Sequence, residues 1–451
     1  MMMVKLLRSG RRQLHTIITR ELIKPSSPTP PHLKTYNLSS VDQLFHQTYI
    51  PLILFYANNG DCSFSTKHIA QEMKKSLSHS LTRYYPFAGR LPTPTTPYVD
   101  CNDEGVIFVE AKNDSQLKTF QDITEQDRNM DHLFADGLVC ENYPLSTNIA
   151  GVQLNHFACG GVGVAVSMSH IIGDGSTLGS FVNHWASVAR YGSLDHQEVL
   201  ALNPHFVQYP KTLHIQPKSP VNQAYANLVT KKFLFTNTKL SHLKNKVNQV
   251  AAAGSTPRIN NPTRVEVLTS LLYKTAITAA MKKSGYFKPS YLLMPVDLRD
   301  KLVEKLPQTT VGNLLALMMV PTTHETEISL SAMTAEIKKA KSQLQGVQSV
   351  QHAAENLQSL MSKFVNEGFE DVAKRSYVCS SLCGFPFNKV DFGWGKPTSG
   401  ILALKPADSN GFVLKDTPDG DGIEALVILE KEDMEIFQND KELLSFGNIS
   451  E

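Results

Sequence analysis

Residues 159–175 read Cys-Gly-Gly-Val-Gly-Val-Ala-Val-Ser-Met-Ser-His-Ile-Ile-Gly-Asp-Gly, and their pattern organises the chain around them. Val162, Val164, Val166 and Met168 fall on one face at period two, and Gly163, Ala165 and Ser167 fall on the other, which is the alternation of a strand. Cys159-Gly160-Gly161 reads as a tight turn, and Val152, Leu154 and His156 alternate before it, so the two runs make a hairpin. After Asp174-Gly175 the period changes. Leu178, Phe181, Val182, Trp185 and Ala189 recur at helical spacing, with Ser176 placed as the N-cap. The strand therefore ends by presenting His170 at a strand-to-helix junction, the kind of rigidly held loop on which working side chains concentrate.

His170 and Asp174 form H-x-x-x-D-G. On these residues alone two readings stand side by side. One is a loop histidine beside a turn-forming Asp-Gly, without chemistry. The other is a neutral imidazole acting as general base, for which histidine has the right unperturbed pKa, with Asp174 fixing the loop through a hydrogen bond or an ion pair. A metal site is disfavoured, because no third ligand stands at catalytic-metal spacing.

A chain of 451 residues is long for one core and predicts two domains. Hydrophobic residues at 41% and charged residues at 19% fit a globular enzyme. A formal net charge of +2 argues against nucleic acid as a partner, which requires a basic patch. The six cysteines (Cys62, Cys101, Cys140, Cys159, Cys379 and Cys383) form no C-x-x-C pair and read as reduced thiols of a cytoplasmic protein. No apolar run is long enough to span a membrane. Lys5, Arg8, Arg11, Arg12 and Arg20 precede the first acidic residue, Glu21, a pattern shared with transit peptides. Residues 1–13 are read as a disordered extension instead.

Along the chain, Leu14–Ile23 and Ile50–Tyr56 read as strands, and Ile69–Tyr85 as a helix ended by Pro86. Tyr98-Val99 and Val106–Glu110 read as strands paired with each other across Asn102–Gly105. Residues 191–223 carry four prolines and little periodicity, the mark of a crossover between domains. The second half opens with a strand at Lys231–Phe235 and a helix at Leu240–Ala252. Thr263 and Glu266 form a capping box for a helix running to Met281. A helix N-terminus attracts phosphate, and Arg264 sits beside this one. Further strands are read at Tyr291–Val296 and Leu314–Val320, helices at 330–344 and 353–364, a hairpin of Phe412–Lys415 with Ile423–Leu429, and a last helix over Met434–Phe446.

A second motif stands far downstream, Asp391-Phe-Gly-Trp-Gly-Lys-Pro397. Asp-Phe-Gly also occurs in protein kinases, but there is no H-R-D loop or V-A-I-K strand, and Gly161-Val-Gly163 lacks the third glycine of a phosphate loop. H-x-x-x-D-G followed by D-F-G-W-G resembles the BAHD family of plant acyl-CoA-dependent acyltransferases. Lys24–Pro30, Leu38-Ser-Ser-Val-Asp-Gln43, Tyr84-Tyr-Pro-Phe-Ala-Gly-Arg90 and Asp100-Cys-Asn-Asp103 match in register, from about Leu14 to the C-terminus. The alkaloid-modifying branch, mostly O-acetyltransferases, is the most similar. Leu382, Gly384 and Asn388 depart from its usual Trp, Arg and Tyr, and Ile171 from a frequent Lys.

The resemblance implies a chloramphenicol-acetyltransferase-like α/β fold: two domains of mixed sheets flanked by helices, with a channel between them. The expected division is a domain over 14–205, a crossover over 206–225 and a domain over 226–451, with a segment after Asp391 passing back into the first sheet. It also implies an acetyl-CoA-dependent O-acyltransferase working as a monomer on a small-molecule alcohol, with acetyl-CoA or another acyl-CoA as co-substrate and no permanently bound cofactor. It implies His170 and Asp391, which head the two motifs, as the catalytic residues, His170 as base and Asp391 through an ion pair with Arg299 that shapes its loop. Asp174 turns away to a salt bridge. Trp394 Nε1 and the Asn313 side chain are the oxyanion candidates, and Thr263 and Arg264 the candidate CoA contacts. A catalytically silent family member that binds a ligand or partner is the alternative. The absence of G-x-S-x-G argues against an α/β-hydrolase mechanism.

Overall fold

A computed structural model describes residues 15–45, 48–58, 66–93, 95–122, 130–135, 138, 147–207, 227–252, 259, 261–366, 372, 374–402 and 410–449. Residues 1–13, almost all of the expected crossover, and Cys62 and Cys140 lie outside that set. The first half contributes β1 (His15–Ile23), β2 (Tyr49–Tyr56), α1 (Thr66–Arg83), β3 (Val106–Asn113), β4 (Ala150–Phe157), β5 (Val162–Ser169) and α2 (Gly175–Tyr191). The second contributes β6 (Leu228–Thr236), α3 (Asn237–Ala252), α4 (Arg264–Ser284), β7 (Ser290–Asp297), β8 (Leu315–Thr322), α5 (Leu330–Ser342), α6 (Val350–Asn366), β9 (Ser376–Ser381), β10 (Ser399–Leu402), β11 (Asn410–Asp416) and β12 (Gly422–Glu430).

Two mixed sheets result. The first runs β1-β3-β4-β5-β2-β10 and the second β8-β7-β9-β11-β12-β6, with Asn448–Ile449 added at the β6 edge. β4 and β5 form the expected hairpin, Ala150 facing Met168 and His156 facing Val162. All eight residues of β2 and all eight of β5 are buried, because both faces of this sheet are covered. On one face Leu52, Leu54, Val164 and Val166 meet Met73, Leu77 and Leu81 of α1 and Phe181 and Trp185 of α2. On the other, Ile53, Phe55 and Ala165 meet Phe120, Leu133 and Phe157. β10 returns from the second half and pairs antiparallel with β2, Leu402 opposite Leu52 and Ser399 opposite Phe55, as expected for the segment after Asp391.

Three local readings are corrected. Tyr98–Asp100 pairs with Thr35–Asn37, while Val106–Asn113 pairs with β1 and β4. Left-handed Asp103 and Gly105 redirect the chain between them. The C-terminal helix is broken into Lys431–Phe437 and Lys441–Phe446. Asp440 N-caps the second piece by accepting from Leu443 N, the use its short side chain favours over a helix interior. The cap of α2 is Asp174, not Ser176: its Oδ1 accepts from Thr177 N at 2.9 Å and the helix starts at Gly175.

α2 ends at Gly192, whose φ of 68° is the usual left-handed stop. Its Trp185 is fully buried, with Nε1 donating to Ser76 Oγ at 3.1 Å. The helix thus runs firmly against α1, and its two ends mark the two sequence motifs.

Candidate active site

His170 follows β5 directly. Its backbone N–H donates to the Thr48 carbonyl at 2.7 Å, tying the loop to the start of β2. The ring is half-buried. Its Nδ1 is sealed from solvent and has no hydrogen-bond partner among the described residues. Phe45 lies face to face with it, ring centroids 4.1 Å apart and planes 9° from parallel. Burial holds the imidazole below the ordinary histidine pKa, against the raising influence of its own carbonyl, the Asp174 charge and the Asn313 side chain. A ring so placed is neutral near pH 7 and able to accept a proton.

Asp174 is fully engaged elsewhere. Arg299 grips it with two parallel bonds, Nη1 to Oδ2 at 2.9 Å and Nη2 to Oδ1 at 3.0 Å. Thr177 N and Leu314 N donate to the same carboxylate. Arg299 is wholly buried. Its remaining donors go to the Thr310 and Gly312 carbonyls and to Asp297. Burial opposes its charge, but Asp174 and Asp297 outweigh that and raise its pKa. A bidentate arginine–carboxylate pair fixes geometry as well as charge, and this one staples the start of α2 to the Thr310–Leu314 segment of the other half.

Gly312 sits in that segment at φ 134°, open to glycine alone at low cost. Its carbonyl accepts from Thr177 Oγ1 at 3.1 Å. Next to it, Asn313 is buried and donates through Nδ2 to the His170 carbonyl at 2.6 Å and to Asp42 Oδ1 at 2.9 Å. Asp42 is buried too, and burial raises its pKa against the hydrogen bonds from Asn313 and Ser39. The amide protons of Asn313 are therefore spent on the loop that carries His170, and Asn313 is a clamp rather than a free oxyanion donor.

The second motif is elsewhere. Asp391 pairs with Arg190 at 2.8 Å, not with Arg299, whose place is taken by Asp174. Asp391 Oδ1 also accepts from Gly393 N and Gly395 N, closing the motif on itself. Arg190 lies near the C-terminal end of α2, about 24 Å from Asp174 at 1.5 Å per residue. Trp394 packs edge-on against Tyr56 and stacks on Phe392. Tyr56 is the last residue of β2, opposite Val162, whereas His170 adjoins its start, about 20 Å away at 3.3 Å per residue. Trp394 Nε1, although buried and without a partner among the described residues, is out of reach of a reaction at His170, and so is Asp391. Both expectations fail for the same reason: a spacing along the chain says nothing about which end of the sheet a loop returns to.

Thr263 and Glu266 form the expected capping box on α4. Arg264 is bound to Asn237 and Asp416. Asp416 borders a cleft between the two sheets, lined also by Leu52, Leu382, Phe385, Leu402 and Lys415. Gly384, one of the departures, has φ 86° and donates its N–H to Asp416, so the backbone there suits glycine. The charges at the cleft are paired: Lys415 with Glu424, Asp416 with Arg264. Among the described residues no cluster of His, Cys, Asp and Glu could hold a metal, and no helix is long and apolar enough to cross a membrane.

A model of the Transferase family matches residues 15–444. The chain belongs to the BAHD acyltransferase family. It is 37% identical to akuammiline synthase 1 of Alstonia scholaris over 442 residues, covering 96% of this chain and 97% of that one. It is 33% identical to deacetylvindoline O-acetyltransferase of Catharanthus roseus, covering 97% and 99%. Its fold superposes on the crystal structure of vinorine synthase with a TM-score of 0.79 at 28% identity, over 97% of this chain and 99% of that one. The relatives act as acyltransferases on alkaloids and other specialised metabolites, and the mixed α/β architecture is that of this BAHD member.

Proposed function

We propose that this chain transfers an acyl group, acetyl in the first instance, from acyl-CoA to the hydroxyl of an alkaloid or similar specialised metabolite, with His170 as the general base. The observation that carries the reading is a histidine kept neutral by burial, clamped at the end of β5, whose neighbouring aspartate is wholly occupied by Arg299. In this reaction the acceptor oxygen attacks the thioester carbonyl as His170 takes its proton. The C–S bond then breaks and the proton passes to the departing CoA sulfur. A thioester is already activated, so no covalent enzyme intermediate is needed. Asp174 and Arg299 act on structure, Asn313 on the position of the His170 loop.

Among the described residues the charges lining the cleft, Lys415 and Asp416, are both ion-paired, which supports an uncharged acyl group. The Catharanthus relative is named for an O-acetyl transfer. Arg264 beside this cleft remains our candidate CoA contact, with Thr263 shaping the helix end on which it stands. The test is thiol release from acetyl-CoA in the presence of deacetylvindoline and other alkaloid alcohols. His170→Ala is expected to lose about two to four orders of magnitude with its melting temperature unchanged. Transfer that persists in that variant overturns the assignment.

A further inference from the structure

A catalytic histidine is ordinarily oriented by a third group bonded to its far nitrogen. Here no carboxylate plays that part. Asp174 is spent on Arg299, Thr177 N and Leu314 N, and His170 Nδ1 is buried without a partner among the described residues. What the ring does have is a parallel aromatic face 4.1 Å away. We propose that Phe45 is the positioning residue for His170, setting the plane of the imidazole by stacking and shielding one of its faces from water.

The platform is itself fixed. Phe45 ends the 3-10 turn Asp42–Phe45. Ser39 N donates to Asp42 Oδ2 and Asp42 N to Ser39 Oγ. Asn313 donates to Asp42 Oδ1 from its backbone and its side chain. Behind the turn, Phe45 packs against the cluster that contains Val41, Leu298, Leu302 and Leu314. The same Asn313 holds the His170 carbonyl, and Thr48, three residues past Phe45, holds the His170 N–H. Ring and platform thus hang from shared anchors, so a face-to-face contact between residues 125 apart in sequence is reproducible rather than incidental. The charged groups around the site are Asp174 and Asp297, both paired with Arg299, and Asp42, bonded to Ser39 and Asn313. None offers a carboxylate oxygen to Nδ1.

This inference rests on His170 being the base, and the experiment separates the two. Wild type, Phe45→Ala, Phe45→Leu, Phe45→Tyr and His170→Ala are compared by NMR titration of the His170 ring, whose resonance is the one lost in His170→Ala. Acetyl-CoA hydrolysis, with water as acceptor, is followed by thiol release. In Phe45→Ala and Phe45→Leu the titration midpoint and the acid limb of kcat/KM are expected to move up towards about 6.5, the value of an unburied histidine. Their kcat should fall about 10- to 100-fold with KM for acetyl-CoA within about twofold, the mark of a misplaced group rather than lost binding. Phe45→Tyr, which keeps the stacking face, should restore both. If the alanine and leucine variants melt as wild type and keep its midpoint and kcat, Phe45 does not position the ring. Should His170→Ala still release thiol at the wild-type rate, it is the assignment of the base that fails.

Discussion

Asp174 supports two opposed accounts that one experiment separates. In the structure it caps α2 and forms a two-point ion pair with the fully buried Arg299. Replacing it with Asn leaves the buried guanidinium with only the more exposed Asp297 as counter-charge, which costs up to about 3–5 kcal/mol. For 451 residues unfolding together, at roughly 2.1 cal/mol/K of unfolding entropy per residue, the melting temperature should drop by about 3–5 °C. Arg299→Met should cost a similar amount. The double variant Asp174→Asn with Arg299→Met removes both charges, and its loss should fall short of the summed single losses by about 2–3 kcal/mol. Calorimetry on the four proteins gives the cycle, and thiol release on the same samples gives the activity. A cycle that adds up would show that the pair is not coupled. Asp174→Asn melting as wild type yet failing to transfer would make Asp174 part of the chemistry and refute the structural assignment.

Other outcomes follow from the same geometry. Asp391→Ala removes a pair whose Arg190 side chain is 49% exposed, worth about 0.2–1 kcal/mol, together with the cap on Gly393 and Gly395; a small fall in melting temperature and wild-type kcat are expected, and a large loss of kcat in a protein that melts normally would restore a catalytic role. Asn313→Ala strips donors from a buried carboxylate and from the His170 carbonyl, so thermal melts should show a loss of about 1–3 kcal/mol, with reduced transfer. His184 is fully buried, and burial lowers its pKa to about 4. Between about pH 6.5 and that value the unfolded chain binds a proton that the native state does not, so the contribution is intact above the unfolded pKa and is lost as pH falls through this window, by up to about 3 kcal/mol. Denaturant titrations of His184→Phe should show a shallower slope of stability against pH than wild type; an identical slope would assign the acid sensitivity to other groups.

The elements that carry the site were legible because each leaves a local pattern. Period-two valines before His170, helical spacing after Asp174 and the Thr263–Glu266 box all describe residues a few positions apart, and the structure has them. Partnerships across the fold leave no such trace. Asp391 could have met any of several arginines; only the course of β10 and α2 brings it to Arg190 and leaves Arg299 to Asp174. Asn313 was recognisable as a polar residue beside a glycine, yet its two amide bonds go to the His170 carbonyl and to Asp42, 143 and 271 residues away. Phe45 was missed altogether. A phenylalanine after Leu44 reads as ordinary packing, and its contact with His170 exists only because the start of β2 lies beside the end of β5.

The return of β10 into the first sheet has a consequence for synthesis. β2 ends at Tyr56 and β10 begins at Ser399, so at 5–20 residues per second about 20–70 s separate their emergence from the ribosome. Throughout that interval β2, apolar along most of its length, offers an unpaired edge to whatever is nearby. Exposed apolar edges recruit other strands, so nascent chains are at their most aggregation-prone before Leu402 arrives. Expression at lower temperature, or with holdase chaperones that shield Leu52–Phe55, should raise the soluble yield, while a chain cut before Ser399 should gain nothing from a slower ribosome.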